Sequence, residues 1–96
     1  MTGPNMTVRG LERWTDTDAF AEYRLDRGHQ TVDAVIRRTK RVLRGQGRPG
    51  EREKVRQFIK RHKRQSAGQR KYGSPPVSAH TAALRNWGYD PTGRFS

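Results

Sequence analysis

Ninety-six residues with a formal net charge of +12 and no cysteine leave room for one small domain around one small core. They exclude disulfides, thiolate metal sites and a cysteine nucleophile, and no apolar run approaches the roughly 18 residues of a membrane span. Residues 1–36 carry a net −2, residues 37–71 a net +13 and residues 72–96 a net +1. The middle block holds 15 of the 21 Lys and Arg, against only Glu51 and Glu53. A field that concentrated repels itself and calls for a polyanion, of which nucleic acid is the commonest. Arg outnumbers Lys 16 to 5, which suits bidentate contacts to phosphate and guanine, although biased codon usage would give the same excess.

In chain order, residues 1–10 contain two Gly, one Pro and no periodicity, and are expected to be a mobile arm. Nothing between Met1 and Val8 resembles a basic stretch followed by an apolar one, so no signal peptide is expected. Residues 11–88 form the expected helical nucleic-acid-binding domain, and residues 89–96 a tail from which Tyr89 and Phe95 pack back at most. Thr15 followed by Asp18 predicts a first helix over about residues 16–26, stopped by Arg27-Gly28. Thr31 predicts the cap of a second helix, whose apolar stripe is Val32, Val35, Ile36, Thr39, Val42 and Leu43. Gly45 to Gly50 breaks it. A third helix over about residues 51–65 follows, with Val55, Phe58, Ile59 and His62 on one line. Residues 66–76 read as a loop, and Ser78 caps a fourth helix with His80, Ala83, Leu84 and Trp87 inward. No alternating strand pattern occurs. The expected fold is all-α, a small bundle of three or four helices with flexible termini, with Val35, Phe58 and Leu84 in one core.

The second helix carries Arg37, Arg38, Lys40, Arg41 and Arg44 around its stripe, and the third carries Arg52, Arg56, Lys60, Arg61, Lys63 and Arg64. These cations lack the interleaved carboxylates of an ordinary solvent-facing helix, so they are candidate phosphate contacts. Arg70 and Lys71 continue the block, with Tyr72 as a candidate for base stacking or phosphate bonding. Between the helices, Gln46-Gly47-Arg48 resembles the Gln-Gly-Arg hook of H-NS-type silencers, which would reach a narrow minor groove. The same residues suit a plain Gly/Pro turn between helices.

A longer stretch resembles the core-binding domain of tyrosine recombinases. It comprises Phe20-Ala-Glu-Tyr-Arg-Leu-Asp-Arg-Gly28, Thr31-Val32-Asp33-Ala34, Arg37-Arg38 and Arg41-Val-Leu-Arg44. Lys54 to Ile59 and Val77 to Trp87 are similar to that domain's later helices, and Val35 stands where the family usually has an aromatic residue. The resemblance implies a DNA-clamping helical module without strand cleavage, because no His-x-x-Arg box and no catalytic domain are present.

The three histidines are dispersed, and no acidic cluster faces one of them. No enzymatic activity, catalytic residue, metal or cofactor is expected. The expected function is nucleic-acid binding, with DNA favoured over RNA, inside the cell and possible on a nucleoid or within a virion, as in a phage or mobile element. The alternatives are a structural component of a virion or ribonucleoprotein particle, or an adaptor for an acidic protein partner. A membrane is not an expected partner, and residues 12–33, rich in carboxylates, are the expected surface for any protein partner.

Overall fold

The computed structural model describes residues 3–63 and 70–96. Within them the chain forms helices α1 (Val8–Thr15), α2 (Asp18–Arg27), α3 (His29–Leu43), α4 (Glu51–His62) and α5 (Ala79–Asn86). A short antiparallel hairpin, β1 (Lys71–Tyr72) and β2 (Val77–Ser78), pairs Lys71 with Ser78 and Tyr72 with Val77. The fold is mostly helical, as the sequence predicts. The hairpin corrects the expectation of no strand: two residues per strand are too few to show an alternation.

Threonine and serine hydroxyls start three of these helices. Thr7 accepts from the Gly10 amide, Thr17 from that of Phe20 and Ser78 from that of Thr81. The expected caps Thr15 and Thr31 are displaced. Thr15 closes α1, with its hydroxyl donating to the Glu12 carbonyl at 2.8 Å, and the cap falls two residues later on Thr17. Gly28, at φ 102°, lets α3 begin at once after α2, so Thr31 already lies inside a helix.

The arm and the tail reach the core at Met6 and Phe95, both of which are buried. The Asn5 side chain accepts from the Asp90 amide at 2.7 Å and donates to the Asp90 carbonyl at 2.9 Å. Leu11 and Trp14, one turn apart on α1, are fully buried, and α1 itself starts at Val8, inside the expected arm. Gly10 packs directly on the carbonyl of Phe95; a β-carbon there would sit 1.8 Å from that oxygen. Arg85 is buried between the rings of Trp14 and Phe95, its Cζ 4.9 Å from each centroid. Its Nε donates to Asp90 at 3.0 Å. Burial pushes the Asp90 carboxyl up, but bonds from the Phe95 amide, Thr92 and Arg85 outweigh it and hold it below its ordinary value.

The core divides in two. The larger cluster joins α1, α2, α3, α5 and β1 around Leu11, Trp14, Phe20, Ile36, Tyr72 and Ala82. The smaller one joins Val42 of α3 to Val55 and Ile59 of α4, with Trp87 and Tyr89 against it. The expected single core is corrected accordingly. Leu84 is fully buried, but Val35 and Phe58 are only half-buried. Phe58 lies flat on Trp87, centroids 4.3 Å apart at 8°, at the edge of the smaller cluster.

Candidate nucleic-acid interface

The cationic block begins at the elbow between α3 and α4. Gly45 takes φ 74°, its amide donates to the Val42 carbonyl, and the Gln46 amide donates to that of Arg41. This pair of bonds is a Schellman motif, which satisfies the last carbonyls of α3. Residues 48–51 then turn, the Glu51 amide donating to the Arg48 carbonyl at 2.9 Å. The Glu51 carboxylate ties the elbow together. It accepts from Nε and Nη2 of Arg41 and from the Arg48 amide, and the Arg38 Nε lies 3.9 Å away. The Arg41 fork and the Arg48 amide hold its carboxyl down at about 2.

The predicted contact residues therefore separate into groups. Arg41 is engaged by Glu51, and Arg38 lies over Trp87 at 5.4 Å, so both brace α4. Lys63 has its Nζ 5.1 Å over the Tyr89 ring. The amides of Gln46 and Arg48 are absorbed by the caps, while their side chains are exposed. Arg70 and Lys71 lie at β1, which packs on α2, and Arg70 pairs with Asp26 there. They do not join the elbow. Arg64 lies outside the described residues.

Tyr72 is a correction. The structure buries it at 5% exposure, edge-on to Tyr23, with its hydroxyl donating to Asp26 at 2.7 Å. A ring with no free face cannot stack on a base. Burial raises its pKa further from neutrality.

The remaining cations are the ones left facing water. On α4 only Val55 and Ile59 are buried, and Arg52, Arg56, Lys60 and Arg61 are exposed, with no ion pair to a carboxylate among the described residues. Arg37 and Arg44 are likewise exposed on and beside α3, with Lys40 half-exposed between them. The reason is where the carboxylates are. Glu51 is inside the elbow, and Glu53 accepts from Gln57 on its own helix. Asp33 takes the Arg24 fork, which lowers its pKa, Glu22 takes the Gly73 amide, and Asp90 is buried. Of the carboxylates in residues 12–33, Glu22, Asp26 and Asp33 hold internal bonds.

Two residues were not singled out from the sequence as contacts. Lys54, one of the cations around the third helix's apolar line, is exposed on α4 and belongs with the others. Trp87 links Arg38 to Phe58, a platform built across three helices that no local pattern announces. Among the described residues no group of three His, Asp or Glu comes together, and no helix is long and apolar enough to cross a membrane. No protein-family model, curated protein or solved structure matches this chain.

Proposed function

We propose that the protein binds nucleic acid, duplex DNA in preference to RNA, through phosphate contacts from the exposed cations of α3 and α4. One observation carries this reading: among the described residues no carboxylate forms an ion pair with Arg52, Arg56, Lys60 or Arg61, all exposed on one helix. A monomer gains nothing from that arrangement, whereas a row of phosphates neutralises it and releases counterions. Such contacts fix position along a duplex. The role is non-catalytic, in line with the resemblance to a DNA-clamping core-binding module without strand cleavage.

The experiment is a titration of duplex DNA, single-stranded DNA and structured RNA at several salt concentrations. The logarithm of affinity for duplex is expected to fall steeply with the logarithm of salt. Replacing Arg52, Arg56 and Lys60 together by Ala should flatten that slope by up to roughly 0.9 per lost contact. A folded triple variant with the parental slope would overturn the assignment.

A further inference from the structure

Seen down its axis at about 100° per residue, α4 has three polar sectors outside its buried line of Val55 and Ile59. Arg52, Arg56 and Lys60 follow one another every fourth residue along one flank. Lys54 and Arg61 occupy the other flank. On the crest, opposite the core, lie Glu53 and Gln57, both exposed, with the Gln57 Nε2 donating to the Glu53 Oε1 at 3.0 Å.

We infer that α4 is a recognition helix for the major groove of duplex DNA, with Glu53 and Gln57 reading base edges between two flanks that grip the opposite phosphate walls. This rests on the nucleic-acid reading above and adds sequence selectivity to it. A helix with both flanks and the crest in water is free to enter a groove about 12 Å wide. The deep, narrow major groove of A-form RNA excludes it. The crest chemistry matches base edges: a Gln amide pairs with N6 and N7 of adenine, and a carboxylate accepts from N4 of cytosine. Residues four apart on a helix are separated by about 6 Å, close to two base-pair steps at about 3.4 Å each.

Glu53 carries the argument furthest. A carboxylate in the first turn of a phosphate-binding helix, set among its cations, opposes non-specific binding, because it is repelled by every duplex alike. In the free protein the helix N-terminus favours that charge; on DNA the repulsion is offset where a base donates a hydrogen to it. In the free protein Gln57 occupies that carboxylate, and on the groove floor each partner exchanges the other for a base.

The test is selection from a pool of randomised duplexes, followed by titration of the selected duplex and a scrambled one. The parent protein, Gln57→Ala and Glu53→Gln are compared, with thermal melts to establish that each is folded. The parent should enrich a short motif containing adenine and cytosine about two steps apart. Gln57→Ala should lose roughly 5- to 150-fold of the preference for the adenine and keep its salt slope on scrambled duplex. Glu53→Gln should bind scrambled duplex more tightly than the parent does and lose its preference for the cytosine. A parent that binds duplex with a steep salt slope but enriches nothing would overturn this inference alone, as would variants that keep the parental motif or equal affinity for structured RNA. A parent that binds no duplex would overturn both this inference and the reading beneath it.

Discussion

Arg85 and Arg56 are the same residue type put to opposite uses within one small protein. Around Arg85, charge is enclosed: the guanidinium lies between two aromatic rings, and Asp90 neutralises it and is itself satisfied by Thr92 and the Phe95 amide. Around Arg56, charge is displayed: the side chain is exposed and forms no ion pair among the described residues. The first region fastens the two ends of the chain to α1 and α5. The second leaves a helix seated on Val42, Val55, Ile59 and the aromatic edge of Phe58 and Trp87, and tied back at its start by Glu51. Stability and binding are thus assigned to different arginines, and substitutions should separate them.

The largest effect is expected at the enclosed arginine. Arg85→Met leaves Asp90 buried without its counter-ion, which costs about 3–5 kcal/mol. Thermal melting should fall steeply, while any folded fraction keeps the parental affinity for duplex DNA. A melting temperature unchanged from the parent would show that the clasp is not a structural unit.

Phe58→Ala comes next. Phe58 is half-buried against Trp87, so the loss should be about 1–3 kcal/mol, less than the 3–5 of a fully buried Phe. Denaturant unfolding should place it between Arg85→Met and any surface variant. Because it loosens the seat of α4, affinity should fall as well.

Glu51 sharpens the comparison through pH. Its carboxyl is held from the ordinary 4.5 down to about 2, so the ion pair contributes fully above the ordinary value. That contribution is lost as pH falls from 4.5 towards 2. The gap in melting temperature between the parent and Glu51→Gln should therefore narrow across that window. A gap of equal size above and below it would mean that Arg41 is not bound to a carboxylate in solution.

The smallest effect on stability belongs to the displayed arginine. Arg56→Ala should leave unfolding within about 0.5 kcal/mol of the parent. It should still weaken duplex binding and reduce the salt slope by up to roughly 0.9. Weaker binding with an unaltered slope would argue that Arg56 contacts something other than phosphate.

How much of this was legible in the sequence follows the same division. Helices α3, α4 and α5 were legible because their apolar residues recur at helical spacing and Ser78 is a local cap. The Gly45 break was equally local. Helix α1 was missed because Gly10 interrupts it and its buried residues are few; the reason for that glycine, the Phe95 carbonyl, lies at the far end of the chain. The packing of the C-terminal turn was missed for a similar cause. Asp90 is a surface residue by type and is buried only because Arg85, Asn5 and Thr92 converge on it. At the candidate site, cation density was readable as charge. Which cations are already engaged was not, since that depends on where Glu51, Tyr89 and Trp87 lie in space.

The chain has two tryptophans, and the fold sends one to each region. Trp14 is fully enclosed, with its indole N–H donating to Asn86 at 2.7 Å, whereas Trp87 is half-exposed between Phe58 and the Arg38 guanidinium. Their fluorescence should differ accordingly, with bluer, quencher-resistant emission from Trp14 and redder, accessible emission from Trp87. A ligand settling on the elbow would perturb the second and leave the first silent. Unfolding of the clasp would do the reverse, so the protein carries its own pair of optical reporters.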